Sequence, residues 1–399
     1  MRPARLPRRV ARAAALGLAA VLVACGGGGG GGGGEPSPFP AGVVHGPVVG
    51  SPSPGTLVVA WRTEVSSVGA VEFGPSPAYG TVVTEPAPTT DHEVALPAAG
   101  PGVTRHFRLR ADGQPLGGDH AARTLPDATG TVRVAVAGDT GTGGSTARAV
   151  RDVLAATDPD ALLLLGDLGY DTGSEADERK GLLVPYADLL ARTPTFTVLG
   201  NHDVMTAGGA ALLGAVPLPT NAQDGSERFY AVDLGPVHLA VLDSNADLSV
   251  ASAQRAWLDT DLAATTRPWR VVAFHHPVYS SGDHGDTPGL AASLGPVLDA
   301  RGVDLVLNGH DHDYERSHPV VAGTATDTSG GPAYADPAGP IYVVSGGGGA
   351  ALDPVGHGAR TAVSIMAFHG LELVATPTSM SVTVRRTDGA VLDAFTLTR

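Results

Sequence analysis

Aromatic side chains are scarce in this 399-residue sequence, with 8 Phe, 8 Tyr and 3 Trp, so a core must be built from Val, Leu and Ala. Basic residues are also few. Acids outnumber Lys and Arg by 40 to 26, and five of the 26 (Arg2, Arg5, Arg8, Arg9 and Arg12) fall in the first 24 positions, where there is no acid. Beyond that segment 21 bases face 40 acids, a net charge of −19. No basic stripe runs through the body of the chain, which argues against nucleic-acid binding by phosphate neutralisation as a main role. Disorder is excluded over most of the chain, because hydrophobic residues make up 43% and charged ones only 17%. The length suggests about two or three domains.

Cysteine occurs once, at position 25. It closes an apolar run, Ala13 to Ala24, that follows the early arginines. A basic segment before a short apolar one reads as an export signal, too short for a spanning helix. The end of the run, Leu22-Val23-Ala24-Cys25, resembles a bacterial lipobox. That resemblance implies a lipoprotein signal peptide over 1–24, with Cys25 lipidated and anchoring an exported protein of the cell envelope to a membrane. The plainer alternative is a secretory signal with an incidental cysteine. Residues 25–40 hold an unbroken glycine run, Gly26 to Gly34, and then three prolines, the composition of a tether.

From about 41 to 126 the sequence looks all-β. Thr56 to Arg62, Gly69 to Gly74 and Thr104 to Arg110 are short β-rich runs separated by Pro and Gly, at the spacing of a small sandwich. His45, His92 and His106 are scattered there and read as packing or surface residues. From 131 to 399 the rhythm changes. Apolar runs at Val132–Ala137, Ala161–Leu165, Phe196–Leu199, His238–Leu242, Val271–Phe274, Val303–Leu307 and Ile341–Val344 read as buried strands. Helical patterns at Ala147–Thr157, Leu182–Ala191, Ala253–Ala264 and Pro288–Ala300 lie between several of them. This alternation predicts an α/β domain with its sheets covered on both faces, and a ligand crevice beyond the carboxyl ends of the strands.

Six of the seven predicted strands are followed by residues of ligand or acid–base type: Gly138-Asp139, Gly166-Asp167-Leu168-Gly169-Tyr170, Gly200-Asn201-His202-Asp203, Asp243-Ser244-Asn245, His275-His276-Pro277 and Gly309-His310-Asp311-His312-Asp313-Tyr314. Singly each has a plain reading, a strand-end Asp as a helix N-cap above all. Together they offer oxygen and imidazole donors that suit iron, manganese or zinc rather than a thiolate site. One ion cannot take so many ligands, so two or more metals are expected.

GD at 138–139, GDLGY at 166–170, GNHD at 200–203, VAFH at 272–275 and GHDH at 309–312 resemble the five metal motifs of the calcineurin-like metallophosphoesterases. The tyrosine of the second motif, and YER at 314–316, resemble the purple acid phosphatase branch. That family implies a two-sheet α/β sandwich at 131–399 behind a fibronectin III-like domain at 41–126. It implies an Fe(III) site of Asp139, Asp167, Tyr170 and His312. It also implies a divalent site for Fe, Zn or Mn, of Asp167 as a bridge with Asn201, His275 and His310. The activity implied is acid phosphatase chemistry, in which a metal-bound hydroxide attacks a small phosphomonoester. His202 and His284 match the family's outer-sphere histidines, with Asp203 expected to orient His202. His276 reads equally as a loop residue or a substrate contact, and Tyr314, Glu315 and Arg316 as braces of the His310–His312 loop. A phosphodiesterase on the same scaffold, or a surface binding protein with a vestigial metal site, are the alternatives. Oligomeric state is not legible.

Overall fold

The computed structural model of the protein describes residues 37–329 and 331–399. The expected signal peptide, Cys25 and most of the tether lie outside the described residues. Residues 43–123 form two antiparallel sheets. One orders Val43–Gly50, Leu57–Ser67 and Thr89–Leu96, and the other orders Thr81–Thr84, Gly69–Gly74, Thr104–Ala111 and Gln114–Arg123. Their alternating apolar residues meet in a core of Val49, Val59, Trp61, Val71, Phe73, Phe107 and Leu109. His92 is buried there, stacked on Trp61 at 4.6 Å between ring centres and bonded to Glu85 at 2.6 Å. These sandwich strands and the α/β part after them belong to one compact unit, Phe39–Arg399.

The α/β part holds two seven-stranded mixed sheets. The first runs Thr195–Thr197, Ala161–Leu164, Val132–Ala137, His369–Ala375, Ser379–Arg386, Val391–Thr398 and Ala333–Ala335. The second runs Tyr230–Leu234, Val237–Val241, Trp269–Ala273, Leu305–Asn308, Ile341–Ser345, Tyr314–Ser317 and Thr361–Ile365. The strands that the apolar runs predict are the parallel ones, at one end of the first sheet and in the middle of the second. Such strands are buried on both faces and therefore lack alternation. A main core of Val, Leu and Ala from both sheets fills the space between them, and a smaller one lies under the helices Ala253–Ala264 and Leu290–Ala300.

Two expectations are corrected. The helix expected over Leu182–Ala191 is broken into a π turn, Arg179–Leu183, and one short turn, Ala187–Leu190. Pro185 has no N–H to give and disfavours helical backbone before it. The strand expected over Phe196–Leu199 is Thr195–Thr197, so Leu199 already belongs to the loop that carries Asn201.

Candidate metal centre

Every expected ligand stands where a strand stops and the chain turns. In the first sheet Asp139 follows Val132–Ala137, Asp167 follows Ala161–Leu164, and Asn201 follows Thr195–Thr197. In the second, His275 follows Trp269–Ala273, and His310 and His312 follow Leu305–Asn308. Asp139, Asp167 and His310 take φ values of 59°, 53° and 76°. Left-handed backbone is uncommon away from glycine and costs about 1–3 kcal/mol at each such residue. The turns place these side chains over the edge where the sheets meet. There the Gly138 amide donates to the Ser345 carbonyl at 2.8 Å, and the His310 amide donates to Asp139 Oδ2 at 3.0 Å.

The side chains converge in two adjoining groups. The Tyr170 hydroxyl lies 3.3 Å from Asp139 Oδ1, 3.2 Å from Asp167 Oδ2 and 3.2 Å from His312 Nε2. Asn201 Oδ1 lies 3.0 Å from both His275 Nε2 and His310 Nδ1. Asp167 Oδ2 stands between the groups, 3.2 Å from the phenol and 3.4 Å from His275 Nε2. Asp139, Asp167 and His275 are buried, and each offers one donor atom within 4.8 Å of the others. The donors are oxygen and imidazole without sulfur, which fits iron, zinc or manganese.

A further set of bonds aims these donors. His275 Nδ1 donates to the Leu165 carbonyl at 2.8 Å and His312 Nδ1 to the Ala351 carbonyl at 2.8 Å, which turns Nε2 of each ring inward. His202 Nδ1 is bonded to the Asp171 carbonyl at 2.7 Å, and its Nε2 lies 4.0 Å from Asp167 Oδ2. His284 Nδ1 is bonded to Asp311 Oδ1 at 2.8 Å, and its half-exposed ring lies 4.4 Å from that of His310, tilted by 41°. His276 also lies 4.4 Å from His310 between ring centres, tilted by 54°, with Nδ1 on the Ser244 hydroxyl at 2.8 Å.

Asp203 does not face His202 as expected. Its carboxylate accepts the backbone amides of Asp167, Leu168, Gly169 and Gly200 at 2.8–3.1 Å, so it fixes the loop of Asp167 instead. The carbonyl of Asp171 takes the orienting place beside His202. Arg316 is buried against Asp393, with Nε 2.6 Å from Oδ2, and bonds the Tyr334 hydroxyl at 2.9 Å; with Tyr314 on the same carboxylate it is a brace. Sequence reasoning missed Asp353, which accepts the His312 amide at 3.1 Å from 41 residues further along the chain, a separation that carries no spacing signal. The glycine run at 346–349 lies against the centre. A Cβ on Gly346 would sit 2.7 Å from Asp139 Oδ2, so a side chain there would enter the donor shell.

The charges oppose one another strongly. Burial pushes the Asp139 carboxyl above its usual range. Burial acts the same way on Asp167, but the neighbouring His275 and the His202 amide outweigh it and hold that carboxyl below the usual range. Burial lowers His275 and His312, yet the facing carboxylates of Asp167 and Asp139 carry them up to about 10 and about 9. Burial and then the imidazoles of His275, His276 and His284 push His310 down, which leaves a neutral ring with a free lone pair. Burial and the charges of Asp139 and Asp167 push the Tyr170 phenol far above its ordinary value. Buried acids and imidazoles in such contact are what a multiply charged cation stabilises.

Residues 132–314 match the model of the calcineurin-like phosphoesterase family. Purple acid phosphatase 22 of Arabidopsis thaliana is 29% identical over 272 residues, 65% of this chain and 58% of that protein. Acid phosphatase type 7 of Homo sapiens is 29% identical over 343 residues, 74% of this chain and 75% of that one. This chain thus spans little more than half the length of the Arabidopsis relative. The solved structure of the purple acid phosphatase PPD1 from yellow lupin seeds superposes with a TM-score of 0.80 at 20% identity, over 91% of this chain and 75% of that one. That likeness shows the fold.

Proposed function

With residues 132–314 belonging to the calcineurin-like phosphoesterases, we propose that this protein is a binuclear metallophosphatase of the purple acid type, hydrolysing phosphomonoesters. One observation carries the reading: Asp167 Oδ2 lies between a group of Asp139, Tyr170 and His312 and a group of Asn201, His275 and His310. We assign the first group, with Asp167, to Fe(III), whose hardness suits carboxylate and phenolate oxygen. The second group, again with Asp167, goes to a divalent ion, Fe, Zn or Mn. When bound, two such cations supply the positive charge that grips phosphate oxygens and acidifies a water.

The residues around them do the rest. A carbonyl or a carboxylate can only accept, so a proton stays on Nδ1 of both His202 and His284 where they meet Asp171 and Asp311. The mobile proton is then carried by Nε2. That makes each imidazole a proton donor for a departing alkoxide, held still by its bond behind. Asp203 contributes the rigidity of the Asp167 loop. Residues 41–126 serve as a fibronectin III-like module in front of the domain at 131–399, away from the chemistry. The basic and apolar leader ending at Cys25 supports an exported, lipid-anchored protein, and Cys25→Ala should release it from the membrane fraction or block its processing.

Turnover of p-nitrophenyl phosphate against bis(p-nitrophenyl) phosphate tests the activity. Monoester turnover that disappears on metal removal and returns with iron plus zinc or manganese supports the reading. Preference for the diester would make the protein a phosphodiesterase. No metal-dependent turnover of either would leave a binding protein.

A further inference from the structure

The sandwich and the α/β part share a strand. Val48 and Val49 are neighbours on Val43–Gly50 and point to opposite faces, Val48 into the main core of the α/β part and Val49 into the core of the sandwich. Gly50 lies close against Pro217, where a Cβ would strike the Pro217 carbonyl. The same strand holds segment 175–183, a turn of helix, Glu175–Glu178, continued by the π turn Arg179–Leu183. Arg179 Nη1 donates to the Val44 carbonyl, and its guanidinium lies over the Phe39 ring at 5.2 Å. Arg62 of the neighbouring strand pairs with Glu175 at 3.0 Å, but that pair is open to water and contributes little, so Arg179 is the main tie.

On its other side the segment lies against the loops that carry Asp139, Asp167 and Tyr170. Glu178 is 1% exposed and packs against Gly169, where a Cβ would sit 2.7 Å from Glu178 Oε1. Gly181 meets both loops at once, because a Cβ there would run into the carbonyls of Gly141 and Leu168. Gly143, just after the Asp139 turn, meets the Lys180 carbonyl in the same way. Burial, and then the nearby Asp203, push the Glu178 carboxyl well above its usual range, so a neutral acid fills this space without adding a charge.

We propose that the sandwich is a positioning element of the metal centre: through Arg179 it clamps segment 175–183, and Glu178 and Gly181 pass that constraint to the loop of Asp167 and Tyr170. The sandwich strands carry none of the donors, and they act through the segment alone. What they contribute is restraint. A donor loop held from behind has less ordering left to undergo when an ion binds, and supporting contacts of this kind are worth about 10–100-fold in metal affinity. His275 and His310 are set by the second sheet, so the restraint falls on one side of the centre, that of Asp139, Asp167 and Tyr170.

The test is hydrogen–deuterium exchange read by mass spectrometry on the purified protein, with iron content measured in parallel after dialysis against a chelator. Arg179→Met keeps the stem and loses the bond to Val44, and Glu178→Ala empties the space against Gly169. In both, peptides over 165–173 should exchange about ten-fold faster than in the wild type, while peptides over 303–312 stay unchanged. Both should release iron at a chelator concentration about 10–100-fold lower. Glu178→Gln, neutral and of the same shape, should match the wild type. Unchanged exchange at 165–173 in both variants overturns the proposal. So does faster exchange spread evenly over both sheets, which marks an ordinary loss of stability, or a Glu178→Gln variant that exchanges as fast as Glu178→Ala. The iron readout rests on the metal assignment proposed above; exchange is read on the chain itself, so this result and the phosphatase reading stand or fall separately.

Discussion

Asp203 Oδ2 accepts the backbone amide of Asp167 at 2.8 Å, and its other oxygen takes the next two amides of the same loop. The carboxylate placed between the two ligand groups is thus held by a second carboxylate that touches neither. Replacement of Asp203 by Ala should leave four buried amides short of an acceptor, each worth about 1–3 kcal/mol. Both metal content and stability should fall, and activity should fall with metal content for every leaving group alike. A variant that keeps its metals and loses activity only toward poor leaving groups would return Asp203 to His202.

The histidines should separate by role. His310→Ala and His312→Ala open the donor shell and should lose metal. His202→Ala and His284→Ala should keep the metals and lower kcat by about 10²–10⁴, with the loss shrinking as the leaving group improves. Metal loss in the last two variants, or a uniform defect across leaving groups, would contradict their role as acids.

Tyr170 should colour the oxidised, iron-loaded protein. Its hydroxyl lies within 3.3 Å of Asp139, Asp167 and His312, and burial beside those acids keeps the phenol protonated unless a strongly acidic cation takes its place. A phenolate on Fe(III) absorbs visible light, so Tyr170→Phe should bleach the protein while far-ultraviolet circular dichroism stays the same. A colourless wild type with stoichiometric ferric iron would remove Tyr170 from the metal.

Far from the centre, His238 lies between Asp233 at 2.8 Å and Asp261 at 2.7 Å. Burial lowers its pKa, but the two carboxylates more than compensate and raise it to about 9 from an ordinary 6.5. A raised folded-state pKa means that the stabilisation is complete below about pH 6.5 and is lost as pH climbs through about 9. The raise corresponds to at most about 3 kcal/mol. The difference in Tm between wild type and His238→Gln should therefore be largest near pH 6 and shrink toward pH 10. A difference independent of pH would show that packing, not charge, is what His238 provides.

Much of the site was legible in the sequence because chain chemistry forces it there. Parallel strands buried on both faces read as apolar runs. A polar residue directly after such a run must lie at the strand's end, where an α/β fold opens its crevice. Asp139, Asp167, Asn201, His275, His310 and His312 do stand at such strand ends, and their order along the chain carries the family resemblance. The helix expected at Leu182–Ala191 failed because apolar periodicity outweighed Pro185 in the reading, whereas a missing amide outweighs periodicity in the chain.

Other features were decided only by the tertiary structure. Asp203 follows His202 in sequence, yet loop closure turns its carboxylate onto amides that begin 36 residues earlier. Asp313 looks like an ordinary loop acid until packing buries both of its oxygens without a hydrogen-bond partner, and that burial pushes its carboxyl up to about 8. Hydrophobic period and motif spacing act along the chain, so a single sequence discloses them. Which carboxylate meets an amide, an imidazole or another carboxylate depends on segments far apart in the chain that only the packed sheets bring together.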